Sequence, residues 1–195
     1  METISDKEEG GKKWATDLDR ALAFAKEMSD RAREIFMQEG TVEPVSFLVM
    51  PVNPMTGEPF EDGQQAAICC SPGQFGIPSF DPNSRTLYCD LLRVLAQKTK
   101  ATAVVMIQEI WIWKADKENA QMPHGSLEFV PGRQEAVSMM FEHQQLGVKS
   151  MMWLAEITRD KDGKGTLGEF TEMPTPDKAE GRFVGILPRK EAFKC

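Results

Sequence analysis

Between positions 134 and 159 the chain reads QEAVSMMFEHQQLGVKSMMWLAEITR, with Gly147 near the middle. On either side of this glycine, apolar residues alternate with other residues, and a period of two is typical of β-strands with one buried face. A glycine between two such runs supplies the left-handed residue of a short hairpin loop. The sequence therefore predicts an antiparallel hairpin whose strands span residues 134–144 and 148–159.

The register of this hairpin follows from the side chains that would face each other. We expect Gln144 to lie opposite Val148. On one face the resulting pairs are Val137 with Ala155, Met139 with Trp153, and Phe141 with Met151. A shift by one residue would instead set Glu135 against Glu156, and like charges in that position destabilise a sheet. The expected register gives the hairpin one wholly apolar face, which other elements must cover.

Two amphipathic helices precede the hairpin. Apolar residues recur at intervals of three and four from Leu18 to Phe36, and Gly40 follows as a helix terminator, so the first helix is predicted here. The second begins at Asp81-Pro82, which supplies an N-cap residue and a proline at the first helical position. It ends near residues 98–100.

The remaining strands define the fold class. They are predicted at residues 45–52, 65–70, 101–114, 166–170 and 182–187. The run at 101–114, ATAVVMIQEIWIWK, is apolar on both alternations, which indicates a central strand covered on two sides. Early helices followed by antiparallel hairpins are typical of the α+β class. We predict that both helices pack on one face of a mixed, mainly antiparallel sheet that ends in a C-terminal meander.

Length and composition predict one soluble domain. The 195 residues suit a single domain at 15–195, preceded by a polar, flexible arm at 1–14. No apolar run reaches the 18 or more residues of a membrane span, and the N-terminus lacks the apolar core of a signal peptide. The four cysteines form no CxxC motif, which favours reduced thiols. We expect a cytoplasmic protein without a membrane partner.

Charge favours a protein partner over nucleic acid. The chain carries 23 basic and 30 acidic residues, a net charge of −7, whereas nucleic-acid binders usually present a basic field. The Pro- and Gly-rich segment 53–81 is acidic, and long ordered loops frequently contact ligands. Its candidate binding residues are Glu58, Glu61, Asp62 and Phe75. The leading hypothesis is a non-catalytic binding protein that uses this segment and an exposed face or edge of the sheet.

Two strand carboxylates support an alternative, catalytic hypothesis. Glu109 lies in phase with the apolar residues of its strand, and Glu135 shares a face with Val137 in the next strand. A buried Glu109 paired with an arginine is one explanation. The other is that Glu109 and Glu135 form an acid/base or metal-binding pair in a metal-assisted hydrolase or nuclease.

Other motifs predict no cofactor. Residues 160–167, DKDGKGTL, resemble the start of an EF-hand calcium loop, but Lys164 and Thr171 occupy ligand positions. We therefore predict a tight turn, with calcium binding by Asp160 and Asp162 as the weaker alternative. No phosphate-binding glycine loop or nucleophilic serine motif occurs. A third functional hypothesis is a structural protein that forms a homodimer through an uncovered apolar sheet face.

Overall fold

The computed structural model describes residues 17–53, 55–58, 60, 64–77, 82–113, 130–147, 149–174 and 185–188. Within these ranges the helices are α1 (Asp17–Glu39) and α2 (Pro82–Thr99). The strands are β1 (Val45–Met50), β2 (Ala66–Cys70), β3 (Ala103–Ile112), β4 (Gln134–His143), β5 (Ser150–Arg159), β6 (Gly165–Leu167) and β7 (Thr171–Met173). The predicted arm at 1–14 and the predicted N-cap Asp81 lie outside the described residues.

The seven strands form one sheet in the order β2-β1-β3-β4-β5-β6, and β7 also pairs with β5. Every pairing among these strands is antiparallel. This confirms the α+β class and the mainly antiparallel sheet. β3 lies in the interior of the sheet, as its double apolar alternation predicts. β6 and β7 share one side of β5, so together they form an interrupted edge opposite the β2 edge.

The hairpin of β4 and β5 has the predicted register. Val137 pairs with Ala155, Met139 with Trp153, and Phe141 with Met151. Glu135 lies opposite Ile157, so the like-charge pair with Glu156 is avoided. Residues 144–146 form a short 3-10 turn, and Gly147 has a φ of 66°, a positive value that a glycine adopts without steric cost. The pattern of side chains therefore sets this pairing correctly.

The two helices pack on opposite faces of the sheet, so the prediction that they share one face is wrong. The face under α1 includes Val105, Ile107 and Phe141. The face under α2 includes Val104 and Met106, the alternate residues of β3. Because β3 is apolar on both sides, a sheet covered on one face would leave half of these side chains in water. Covering each face with one helix removes that cost.

The side chains that α1 buries against the sheet are mostly small. They are Ala21, Ala25, Met28, Ser29, Ala32 and Phe36. Gly40 ends the helix with a φ of 78°, and its N–H donates to the carbonyl of Phe36 at 2.7 Å, a bond that satisfies a terminal carbonyl. In the described part of the chain, neither helix is long and apolar enough to cross a membrane.

The strand predicted at 182–187 does not form over its described part. Residues 185–188 have no strand structure, although Ile186 and Leu187 are buried in the core beneath α2. Their backbone N–H groups donate to the carboxylate of Glu142 instead of to a neighbouring strand. A side chain therefore supplies the hydrogen-bond acceptors that strand pairing would have provided. Residues 182–184 lie outside the described residues.

Candidate functional site

β2 is an edge strand and lies within the acidic segment 53–81. Within the described residues it pairs with β1 alone. Its side chains, AAICC, are uncharged and mostly short. Ile68 and Cys70 pack against the core beneath α2, whereas Ala67 and Cys69 are exposed on the other face. The two adjacent cysteines thus point to opposite faces of the sheet, as neighbouring residues of a strand do. The strand carries neither charge nor proline, the usual devices that prevent an edge from pairing.

The binding residues predicted from sequence are partly described. Glu58 is exposed, and its N–H donates to Thr56 Oγ1 at 3.3 Å within a turn that leads toward β2. Phe75 is half-buried, with its ring centroid 5.8 Å from that of Tyr88, so it contributes to the core beneath α2. Glu61 and Asp62 lie outside the described residues. Of the two described members of this set, Glu58 therefore lies on an open surface and Phe75 does not.

Tyr88 of α2 joins the two strands nearest to this edge. Its hydroxyl donates to the carbonyl of Cys70 in β2 at 2.7 Å and lies 3.0 Å from Ser46 Oγ in β1. Burial raises the pKa of the Tyr88 hydroxyl well above its usual value of about 10. Burial also raises the pKa of the Cys70 thiol to about 11, with a smaller contribution from Cys69. These groups are therefore neutral hydrogen-bonding partners at neutral pH.

The two strand carboxylates each have a partner of their own. Glu109 Oε1 accepts the backbone N–H of Val42 at 2.7 Å and so holds the connection between α1 and β1. This backbone group takes the place of the arginine that the sequence suggested. Glu135 Oε2 accepts from Arg159 Nε at 2.6 Å. Both carboxylates lie on the α1 face of the sheet, and each is engaged in a structural contact.

An open cleft of about 510 Å³ adjoins Glu135. The guanidinium of Arg133 lies over the ring of Trp111 at 4.5 Å, a cation–π contact. Arg159 completes this wall by binding Glu135 and donating to the carbonyl of Gly163. Acidic and basic side chains therefore neutralise each other here.

His143 is buried at the other end of β4. Its Nδ1 accepts the backbone N–H of Gln145 at 3.1 Å, so the ring proton resides on Nε2, which donates to Asp17 Oδ2 at 3.2 Å. It lies eight positions along the strand from Glu135, roughly 26 Å at about 3.3 Å per residue. The structure therefore does not bring this histidine to the strand carboxylates. His124 lies outside the described residues.

Residues 160–164 form the predicted tight turn. Asp160 Oδ1 accepts the backbone N–H groups of Asp162 and Lys164, both at 2.9 Å, and Gly163 adopts a φ of 80°. The Asp160 carboxylate thus stabilises its own turn. Among the residues that the structure describes, no three His, Cys, Asp or Glu side chains are grouped so that they could hold a metal ion.

One carboxylate that the sequence patterns did not mark is Glu142 of β4. It accepts the backbone N–H groups of Gly185 at 2.6 Å, Ile186 at 3.0 Å and Leu187 at 3.3 Å. Burial raises the pKa of Glu142, and the three N–H donors and Arg93 partly offset that effect. No local pattern marks this residue, because a polar residue in an alternating strand is expected to face water.

A second cavity, of about 430 Å³, lies between α1 and β5 and was also missed. Its floor is formed by Met139, Met151 and Trp153, and Phe170 lies at its side. Periodicity predicts which side of a helix is buried but not how much space remains beneath it.

Comparison with protein-family models, with curated proteins and with solved structures finds no match for this chain.

Proposed function

We propose that this chain is a non-catalytic binding protein that takes up an extended segment of a protein partner along the β2 edge. The supporting observation is that β2 ends the described sheet with a strand of uncharged and mostly small residues. An extended peptide can add to such an edge through backbone hydrogen bonds, and alternate side chains then give specificity. Exposed Ala67 and Cys69 would leave room for larger side chains of the partner.

Charge supports a basic partner segment. Residues 40–90 hold six acidic residues, against the single basic residue Arg85. Glu58 is exposed in the turn before β2. A field of this sign accelerates the approach of a basic segment and disfavours an acidic one. Glu109 and Glu135 each already accept a hydrogen bond from another residue of the chain. These contacts favour the binding-protein hypothesis over the hydrolase or nuclease hypothesis.

The proposal is tested with a short fluorescent peptide of alternating lysine and valine, and with the corresponding glutamate and valine peptide. We expect fluorescence anisotropy to detect the basic peptide alone, and hydrogen exchange at β2 to slow when it binds. Ala67→Lys should weaken binding roughly tenfold, because a lysine on an edge strand blocks further pairing. Thr166→Lys is the matched control, since it adds the same charge to the exposed side of the opposite edge, β6.

Equal binding of the two peptides, or equal effects of the two lysine variants, would overturn the proposal. The homodimer hypothesis is an outcome of the same experiment. Sedimentation at several concentrations would then show a dimer that Ala67→Lys dissociates and Thr166→Lys preserves. That result would identify a second copy of the chain as the occupant of the β2 edge, and a separate protein partner would be ruled out.

A further inference from the structure

The cavity between α1 and β5 is lined by apolar groups on the side of the sheet. Met139 is buried, whereas Met151, Trp153 and Phe170 are only partly buried and border the opening. On the helix side the lining includes Ala25 and Ser29. Three partly buried apolar side chains therefore line one hollow. Such an arrangement is typical of ligand pockets, which range from about 300 to 1,000 Å³.

The space exists because of the sequence of α1. The side chains that this helix buries over the cavity are small, whereas those of the sheet below are long. Protein interiors usually contain few voids larger than a water molecule. A leucine at position 29 would occupy part of the hollow, but the chain has a serine, whose hydroxyl donates to the carbonyl of Lys26 at 2.7 Å. The hydroxyl is therefore satisfied by its own helix and does not require the cavity.

The rim of the cavity carries balanced charge. Lys26 and Arg33 supply two positive groups, and Asp30 and Glu169 supply two negative groups. Arg33 forms an ion pair with Glu169, which links α1 to the segment between β6 and β7. An anionic ligand would approach two carboxylates, and a cationic ligand would approach two basic groups. The complementary ligand is therefore one without net charge.

We propose that this cavity binds a neutral aromatic small molecule. The rings of Trp153 and Phe170 can contact a ligand ring edge to face or in an offset stack. The thioethers of Met139 and Met151 favour the same ligand, because sulfur packs well against aromatic rings and these side chains adapt their shape. This site is separate from the β2 edge, and its occupant is distinct from the peptide proposed there.

The test uses two dyes that share one chromophore. N-phenyl-1-naphthylamine is neutral, and 8-anilinonaphthalene-1-sulfonate is its anionic counterpart. We expect the full chain to bind the neutral dye with a stoichiometry of one and the sulfonate roughly tenfold more weakly. Excitation of tryptophan should produce dye emission through Trp153. Because transfer falls steeply with distance, Trp153→Phe should reduce this sensitised emission more than Trp111→Phe, in the other cleft.

Two substitutions locate the binding site independently. Ser29→Leu should fill the hollow and weaken binding of the neutral dye roughly tenfold. Met151→Ala should also reduce affinity, whereas Met152→Ala, next to it on the opposite face of β5, should have little effect. Circular dichroism checks that each variant is folded. Equal binding of both dyes, or affinity that none of the cavity substitutions changes, would overturn the proposal.

Discussion

The ring of Phe36 in α1 lies directly against Gly165 in β6. A Cβ atom built on Gly165 would come within 2.7 Å of Phe36 Cζ and 2.9 Å of its Cε1. Phe36 is completely buried, and the core on its face of the sheet surrounds it. The end of α1 can therefore approach the sheet edge only because position 165 has no side chain. This contact couples the first helix to a strand more than a hundred residues away.

Gly165→Ala should consequently destabilise the protein. The added methyl group must displace a buried ring, and overpacking of this kind costs about 1 to 3 kcal/mol. Urea unfolding followed by circular dichroism measures the change. Gly73→Ala is the control, because a Cβ there meets no atom within 4 Å. Phe36→Leu combined with Gly165→Ala should recover part of the loss; strictly additive effects would contradict the contact.

The sequence allowed the hairpin register to be predicted because its determinants are local. Met139 and Trp153 belong to strands joined by a short turn, so alternation and turn geometry together leave few possible pairings. Local patterns of this kind do not determine on which face of the sheet each helix packs. Periodicity shows which side of α2 is apolar, but Val104 and Val105 offer equally apolar sites on the two faces of β3. The two helices take opposite faces because both apolar faces of β3 must be shielded from water.

The candidate site was predicted less well than the fold because its contacts join distant segments. Glu142 has the sequence context of a solvent-facing residue, yet its hydrogen-bond donors begin 43 residues further along the chain. The acidic segment was identified from composition, and one of its residues, Glu58, lies on an open surface. Phe75 was selected from the same segment but packs against Tyr88. An aromatic residue in a loop pattern does not reveal whether a helix lies behind it.

Tyr88 should ionise only at a pH well above that of a free tyrosine. It is the single tyrosine of the chain, so the ultraviolet absorbance of the phenolate reports on this residue alone. Burial raises its pKa, whereas the unfolded chain should titrate near a pKa of about 10. The folded state then binds one more proton in this range, so stability falls as pH rises above about 10.

Tyr88→Phe removes the hydroxyl and keeps the ring, so it isolates the contribution of the hydroxyl. This variant should lack the tyrosine contribution to the alkaline loss of stability. At neutral pH it should be less stable by about 1 to 2 kcal/mol, because the buried carbonyl of Cys70 loses its donor. A phenolate transition near the usual pKa in the folded protein would show that the hydroxyl is not buried as described.

The two adjacent cysteines should differ in their reaction with thiol reagents. Cys69 is exposed, whereas Cys70 is buried and its pKa is raised to about 11. Iodoacetamide at mildly alkaline pH should therefore modify Cys69 first, although burial also raises the pKa of that thiol. Mass spectrometry of Cys69→Ser and Cys70→Ser variants in a Cys195→Ser background distinguishes the two positions. Faster labelling when Cys70 is the remaining member of the pair would contradict the orientation of β2.

Glu142 should contribute to stability through the segment at 185–187. Glu142→Ala would leave three backbone N–H groups without their acceptor, which should cost about 2 to 3 kcal/mol. Glu135→Ala is the matched control in the same strand, and loss of its contact with Arg159 at the surface should cost less than about 1 kcal/mol. Both changes are measured by urea unfolding. Equal losses in the two variants would show that the buried hydrogen bonds add nothing.

The pH dependence of this contribution has a defined sign. Burial raises the pKa of Glu142 above its ordinary value, so the folded state holds its proton more tightly than the unfolded state. Stability from this group is therefore complete in acid and decreases as pH rises through the raised pKa. Glu142→Gln cannot titrate at this position. The stability of the unmodified chain relative to this variant should fall with rising pH and then level off, and a difference that instead grows with pH would reverse the assignment.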